Sequence, residues 1–413
     1  MFEKVTLENG LTVILIKISQ VRSVSIGVWI KAGVVNENSC PNGIAHFLEH
    51  MLFKGTKNRT ARQIAKEIED IGGEINAFTS KEYTCYYTRS LDEYAGKCLG
   101  ILSDIYFKSL FDEVEISKEK NVIKQEISMH EDTPDELIHD LIISAMWSKS
   151  PYGMPISGTK SSIDKISREN IISYHKDLYT ADNTVISIAG NFDRDELLEK
   201  IEGSFIFENM KSKGSDFKEI IYTPSVKHRK KDTEQNHICI GYKGFDIFDD
   251  RNYDIACFNS LFGSGMSSLL FQRIREEAGL VYSVFSYNTS STRSGSLIIY
   301  AGLDKNNTKT YFDEVDDVIR EFNERWISSD ELEIVKNRLR SSYILALESP
   351  SALMNYAGSS QIMKGYIYTP DELSDKIEGI TLESMYSSVR EVMENKRSIV
   401  LIGRYEGSLS DHV

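Results

Sequence analysis

The stretch Ile44–Phe53 reads IAHFLEHMLF, and its pattern decides how the rest of the chain is interpreted. On a helix of 3.6 residues per turn, its apolar side chains cover most of the circumference, which predicts a buried helix. His46, Glu49 and His50 form one narrow polar stripe. Two imidazoles four residues apart lie one above the other and can share a metal ion. This His-x-x-Glu-His arrangement is a zinc-binding pattern, the inverse of His-Glu-x-x-His.

A chance occurrence of the pattern is the alternative. A lone buried histidine usually belongs to a packed core, and short motifs carry a false-positive risk. Chance does not explain why the polar groups of an apolar helix share one face. Burying a carboxylate and two imidazoles without partners would cost several kcal/mol. We therefore predict a metal site on this helix.

Composition limits the classes of partner and compartment. The chain has 413 residues, enough for two domains, and its net charge of -14 argues against nucleic acid and anionic membranes as partners. Its 5 cysteines include no Cys-x-x-Cys pair and read as free thiols of a reducing compartment. The amino terminus lacks a secretory signal pattern, and no apolar run reaches the length of a membrane span. We expect a soluble, cytoplasmic protein without a membrane span.

The order of predicted elements repeats along the chain. A hairpin around Asn9-Gly10 and a strand precede the metal helix, and a second hairpin is predicted at 74–88. After a polar linker at 208–225, strands and helices recur in similar order, with an alternating strand at 281–303 and a final one at 397–402. We predict an α+β fold of two tandem, structurally similar domains, 1–210 and 221–413, each with a mostly antiparallel sheet packed by helices. Two unrelated α+β domains remain the alternative.

A third metal ligand is expected from a helix that Ser117 would cap. Its predicted inward stripe carries Glu119 and Glu126 with Val122 and Ile123, while lysines mark the solvated side. Catalytic zinc takes three protein ligands and keeps one position open. One of these carboxylates would be a ligand, and the other would orient a histidine or tune the site.

HFLEH, followed further along the chain by the Glu-x6-Glu pair of EKNVIKQEI, resembles the pitrilysin-type metallopeptidases, or inverzincins. This family includes the mitochondrial processing peptidase and insulin-degrading enzyme, and the similarity is greatest to its short, processing-peptidase-like branch. NAFTSKEYTCYY, YGMPISGT and LFGSGMSSLLFQRIREEAGLVYSV also resemble family segments. The resemblance covers nearly the whole chain.

The resemblance implies one Zn²⁺ per chain, held by His46, His50 and Glu126. It implies Glu49 as the general base and Glu119 as a supporting acidic residue. Independently of the family, zinc would lower the pKa of water, and a nearby carboxylate that is not a ligand could move the proton to the leaving amine.

The resemblance also implies groups that contact substrate. Arg275 and Tyr282, in an Arg-x6-Tyr pattern, would reach the peptide near the zinc. Asn76, Ala77 and Phe78 would lie on an edge strand whose backbone pairs with an extended peptide. An internal strand is the alternative for this segment.

The expected function is a zinc endopeptidase that cleaves extended peptides or presequence-like segments. We expect a homodimer in which the second domain of one chain faces the zinc of the other. A heterodimer with a related subunit remains open. The remaining alternatives are a non-catalytic subunit, like the core proteins of the respiratory bc1 complex, and a structural or storage zinc protein.

Overall fold

The computed structural model describes residues 2–37, 40–208, 211–213 and 220–412. The predicted linker at 208–225 lies partly outside the described residues, at 209–210 and 214–219. Within the described ranges, none of the helices combines the length and the apolarity that crossing a lipid bilayer requires.

The strands form two sheets. Their bounds are β1 (Glu3–Thr6), β2 (Thr12–Lys17), β3 (Ser23–Ile30), β4 (Glu74–Thr79), β5 (Thr84–Leu91), β6 (Thr184–Gly190), β7 (Val226–Lys230), β8 (Asn236–Gly244), β9 (Val281–Ser290), β10 (Gly295–Leu303) and β11 (Ser398–Gly403). Among the described residues, one sheet has the order β1-β2-β6-β3-β5-β4 and the other the order β7-β11-β8-β10-β9. Neighbouring strands pair antiparallel except β2 with β6 and β7 with β11.

Helices lie in five of the ten connections between successive described strands. Their bounds are α1 (Ile44–Leu52), α2 (Ala61–Glu69), α3 (Ala95–Lys108), α4 (Glu113–Asp132), α5 (Pro134–Met146), α6 (Lys160–Lys165), α7 (Arg168–Leu178), α8 (Arg194–Ser204), α9 (Arg251–Phe262), α10 (Thr308–Glu324), α11 (Ser329–Leu345), α12 (Pro350–Lys364), α13 (Pro370–Glu378) and α14 (Leu382–Met393). A π-helix runs over Phe271–Glu277.

The two sheets have the same topology once β1 is set aside. The strands β2, β3, β4, β5 and β6 occupy, in chain order, the same sheet positions as β7, β8, β9, β10 and β11. Each sheet has its parallel pair between the first and last of these strands. The prediction of two similar α+β domains with mostly antiparallel sheets is confirmed.

Two compact units make up the structure, and each is continuous in space but not in sequence. Unit 1 comprises Met1–Ser128, Met154–Phe217 and Ala346–Thr369, and unit 2 comprises Met129–Gly153, Lys218–Leu345 and Pro370–Val413. Unit 1 therefore includes α12 from the second half of the sequence, and unit 2 includes α5 from the first half. The predicted domain ranges, 1–210 and 221–413, follow the duplication along the sequence and do not coincide with these two units. They stay a prediction.

Each sheet is covered on both faces by apolar side chains. In unit 1 the main core includes α1, α3 and α7, while α12 packs Met354 and Ala357 on the opposite face, against Trp29. A Cβ on Gly358 would stand 2.1 Å from Trp29 Nε1, so the close approach of this helix requires glycine. In unit 2, α5 covers the corresponding second face, with Ile138 and Ile142.

The structure corrects several details of the sequence prediction. The predicted single strand at 281–303 is the hairpin of β9 and β10. Strand β7 and helices α12, α13 and α14 have no counterpart in the prediction. Ser117 does not cap α4, because the helix begins earlier, and Asp112 Oδ1 accepts the N–H groups of Val114 at 2.8 Å and Glu115 at 3.3 Å. Helix α2 begins with a capping box of Thr60 and Gln63, a spacing that is already visible in the sequence.

Candidate metal centre

Helix α1 carries the zinc pattern, and its first turn is fixed by a buried carboxylate. Gly43 precedes the helix with φ of 95°, a left-handed conformation that favours glycine. Both oxygens of Glu37 accept the Gly43 N–H, at 3.0 and 3.1 Å, and Oε1 also accepts the Ala45 N–H, at 3.2 Å. A carboxylate at a helix N-terminus satisfies free backbone donors and complements the helix dipole. Glu37 thus positions the helix that presents the predicted metal-binding histidines.

The predicted ligands lie together. Ligand atoms of His46, His50 and Glu126 all lie within 4.8 Å of one another. The two histidine Nε2 atoms are 3.3 Å apart, and each lies 3.7 Å from an oxygen of Glu126. No second group of three such residues occurs in the part of the chain that the structure describes.

Helix α4 supplies two carboxylates with different surroundings. Glu119 is buried, and its Oε1 lies 2.8 Å from His50 Nδ1, while its Oε2 lies 2.7 Å from Lys54 Nζ. Glu126 has a side chain that is 49% exposed, and Val122 is also exposed. The prediction that both of these face inward is therefore wrong. Both carboxylates, Glu119 and Glu126, are positioned by α4, whose buried face includes Ile116, Ile123 and Ile127.

Glu49 lies on α1, like the two histidines, but is not one of the three grouped residues His46, His50 and Glu126, which are called the metal group below. Its Oε2 accepts a hydrogen bond from the Thr79 hydroxyl, at the end of β4. The Thr79 oxygen is 3.3 Å from that of Thr84, whose own hydroxyl donates to the Ala32 carbonyl at 2.8 Å. A carboxylate that is held beside the metal group without being part of it remains available for proton transfer.

Burial and neighbouring charges shift the pKa values of the titratable groups in the site. Burial, reinforced by His50, lowers the pKa of His46 to about 3. Burial also acts to lower the pKa of His50, but the hydrogen bond and charge of Glu119 outweigh it and the net shift is upward. Burial raises the pKa of Glu49 despite the Thr79 hydrogen bond. For Glu119, burial is outweighed by His50 and Lys54, so its pKa lies below the ordinary value. Protons therefore compete with a metal more strongly at His50 than at His46.

The donor set fits zinc. Two nitrogen ligands at ordinary Zn–N distances in a tetrahedral site stand about 3.3 Å apart, and the two Nε2 atoms show that separation. An ionised Glu119 can only accept a hydrogen bond, so in neutral His50 the proton lies on Nδ1 and Nε2 presents its lone pair. Two imidazoles and a carboxylate, with a carboxylate behind one imidazole, are typical of a zinc centre that keeps one open position.

Strand β4 carries the predicted substrate-binding residues and lies at the edge of its sheet, paired with β5 among the described strands. The Ser80 N–H donates to the Tyr83 carbonyl, and antiparallel alternation from that pair directs the Ala77 backbone away from β5. Consistent with this, the Ala77 N–H donates to the side chain of Asn76, at 2.8 Å. The segment is therefore an edge strand, as an added peptide strand would require.

Comparison with known proteins decides the family. Residues 12–160 match the model described as Insulinase (Peptidase family M16), and residues 165–339 match the Peptidase M16 inactive domain. The uncharacterized zinc protease YmxG of Bacillus subtilis is 40% identical over 97% of this chain and 98% of its own. The chain belongs to peptidase family M16. An uncharacterized zinc protease of Rickettsia felis is 36% identical to this M16 chain, over 96% of each.

Solved structures agree with the M16 fold. A protease from Helicobacter pylori superimposes with a TM-score of 0.90 at 21% identity, over 98% of this chain and 99% of its own. An M16 inactive domain from Pseudomonas fluorescens gives a TM-score of 0.89 at 19% identity, over 98% of each chain. At these identities the likeness concerns the fold alone.

The two remaining predicted residues of the M16 chain lie in unit 2. Arg275 is on the π-helix, and Tyr282, on the edge strand β9, is 72% exposed. The guanidinium carbon of Arg275 lies 5.8 Å from the centre of the Tyr282 ring and 4.7 Å from that of Phe271. The two side chains are therefore neighbours, and the ligand group of unit 1 does not include them.

Sequence reasoning missed three residues around the predicted metal ligands of this M16 chain. Lys54 follows the zinc pattern, and Glu37 precedes it. In the sequence, a lysine and an acidic residue at these positions cannot be distinguished from ordinary surface residues. Thr79 stands within the quoted segment NAFTSKEYTCYY without having been singled out. Threonine is common in strands, so only the structure reveals its contact with Glu49.

Proposed function

We propose that this M16 chain is a zinc-dependent endopeptidase that hydrolyses extended peptides or presequence-like segments. The main support for this proposal is the group of His46, His50 and Glu126, which could hold a metal ion. The carboxylate of Glu49 lies beside this group and is not part of it. The names of the relatives, zinc proteases, support the metal and the reaction class.

The proposed roles follow from the chemistry of peptide hydrolysis. When bound, zinc would lower the pKa of a water molecule and polarise the scissile carbonyl. Thr79 engages Oε2 of Glu49, which leaves Oε1 to accept the proton of the attacking water and deliver it to the leaving amine. Glu119 holds Nδ1 of His50 and so orients that ring toward the metal.

An extended substrate would bind along β4. The outward-facing backbone around Ala77 offers main-chain hydrogen bonds that do not depend on side-chain identity, and Asn76 and Phe78 border it. This mode of binding suits peptides of varied sequence in a strand conformation. We therefore expect the protein to cleave unfolded segments in preference to folded proteins.

The proposal assigns Arg275 and Tyr282 to the substrate near the zinc of a second copy of the chain. Their exposure and mutual proximity support a role as donors to a developing oxyanion. The assembly would be a homodimer, in which each active site uses both chains. The processing-peptidase-like branch, the single zinc per chain and a cytoplasmic location belong to the same proposal.

A non-catalytic subunit is the second candidate. One observation favours it: residues 165–339 match the model named for the inactive domain of M16 peptidases. The metal group lies in the other match, at 12–160, where all of its residues are of the required type. A storage or structural zinc protein would share the metal but not the turnover.

Zinc content and peptide hydrolysis, measured together, test the proposal. Wild type, Glu49→Gln and the exposed control Glu69→Gln are compared on a mixture of quenched fluorescent peptides. We expect zinc in all three, turnover in wild type and control, and a loss of about 10² to 10⁴-fold in Glu49→Gln. Chelation should abolish turnover, and added zinc should restore it. Zinc without turnover in wild type would favour the non-catalytic subunit, and a zinc-free wild type would remove the proposal altogether.

A further inference from the structure

The contact between Thr79 and Glu49 joins the two parts of the proposed site. Glu49 belongs to α1, which carries the metal-binding histidines, and Thr79 is the last residue of the edge strand β4. One hydroxyl thus connects the proposed general base to the strand along which a peptide would bind.

The surroundings fix the direction of this hydrogen bond. The Thr84 hydroxyl donates to the Ala32 carbonyl at 2.8 Å, so its single proton is already used. The Thr84 oxygen, 3.3 Å from the Thr79 oxygen, can only accept from it. An ionised carboxylate likewise only accepts. The proton of Thr79 is therefore directed to Glu49, the closer acceptor.

Thr79 is held more firmly than a residue of a free strand end. Thr79 and Thr84 are register partners in the β4–β5 hairpin, and the next residue, Ser80, donates its N–H to Tyr83 at 2.8 Å. Thr84 is itself buried, with 1% exposure. The hydroxyl that contacts Glu49 consequently has a defined position before any substrate binds.

We propose that Thr79 is a positioning residue, whose hydroxyl fixes the Glu49 carboxylate beside the group of His46, His50 and Glu126. The inference rests on the proposed peptidase function. The strand along which a peptide would pair thus also holds the hydroxyl that orients the base, and this arrangement is in place before the peptide binds.

Two substitutions separate the hydroxyl from the shape of the side chain. Thr79→Val keeps the volume and the β-branched form but removes the donor, whereas Thr79→Ser keeps the donor. Thr88→Val is the matched control, because Thr88 is a buried threonine of the adjacent strand whose hydroxyl contacts Cys98 instead. Zinc content is measured for every variant, and Thr79→Ala replaces Thr79→Val if the latter does not retain zinc.

We expect Thr79→Val to lower kcat by about 10²-fold, the cost of a misplaced catalytic group, with KM and zinc content near wild type. Thr79→Ser should recover most of kcat, and Thr88→Val should match wild type. In a crystal structure of Thr79→Val, the Glu49 carboxylate should turn away from β4, compared with a structure of wild type.

Unchanged kcat in Thr79→Val would overturn the inference while leaving the peptidase proposal intact. So would a serine variant as impaired as the valine variant, or an unmoved Glu49 carboxylate. Absence of turnover in wild type would instead overturn the proposed function itself, and the two failures are therefore distinguishable.

Discussion

His50 Nδ1 lies 2.8 Å from Oε1 of the buried Glu119. The other oxygen of that carboxylate lies 2.7 Å from Lys54 Nζ, so both of its oxygens are occupied. Nδ1 of His46, by contrast, is a buried atom with no hydrogen-bond partner among the described residues. The ring of His50 is therefore the more firmly oriented of the two, and its orientation depends on α4.

Replacing Glu119 should weaken the metal site without removing a ligand. In Glu119→Gln the amide can still contact His50, but it no longer carries the charge that makes the imidazole more basic. Zinc affinity should fall by about 10- to 100-fold, the usual effect of losing such a partner. Competition with a chelator of known affinity measures it. Glu113→Gln, an exposed residue of the same helix, is the control, and equal affinities in the two variants would contradict the assigned role.

The sequence predicts helix α1 and its polar stripe well because this information is local. The stripe of His46, Glu49 and His50 follows from helical periodicity alone, and the capping box of Thr60 follows from spacing. Periodicity gives the face of a residue but not its depth. This is why Glu126 was expected to point inward, although it lies at the open side of the site.

Helix α12 shows the second limit of sequence reasoning. It packs through small residues, with Gly358 against Trp29, so no continuous apolar stripe marks it. It also covers the sheet of unit 1 although it belongs to the second half of the sequence. The position of α12 therefore depends on contacts between residues that are distant in sequence. The contact between Thr79 and Glu49 is of the same kind.

Glu37 should make the stability of unit 1 depend on pH. Burial raises the pKa of Glu37 to about 7 from an ordinary value of 4.5, although its hydrogen bonds oppose the shift. The folded state therefore holds this proton more tightly than the unfolded state. The resulting stability is complete below about pH 4.5 and is lost as the pH rises through 7, by roughly 3 kcal/mol.

Substitution isolates the effect of this carboxyl group. The free energy of unfolding of wild type, relative to Glu37→Gln, should decrease as the pH rises from about 5 to 8. Urea denaturation with chelator present, at several pH values, measures the difference. Glu69→Gln is the control for loss of an exposed charge. A difference between wild type and Glu37→Gln that does not vary with pH would show that Glu37 does not titrate in this range.

Proline at position 77 should impair substrate binding and spare the metal. The Ala77 N–H points away from β5, and proline is tolerated at such edge positions, so the hairpin should persist. A peptide that pairs with β4 would lose a hydrogen bond and meet the ring. We expect a higher KM and unchanged zinc affinity. Thr6→Pro, at an outward position of the opposite edge strand β1, is the matched control, and equal KM values in both variants would exclude β4 as the substrate strand.

Mixing two inactive variants should restore activity if each active site uses two chains. Glu49→Gln lacks the proposed base but keeps Arg275 and Tyr282, and the double variant Arg275→Ala with Tyr282→Phe has the opposite defect. In a mixed dimer with shared sites, one of the two sites has every group intact. Random exchange of subunits would then give roughly a quarter of wild-type activity per chain. The two variants are incubated together briefly at a concentration that allows subunit exchange. Hydrolysis of the fluorescent peptides then measures how much activity is recovered. Mass measurements show whether mixed dimers form. If they form and the mixture stays inactive, Arg275 and Tyr282 either act at the metal site of their own chain or take no part in the reaction.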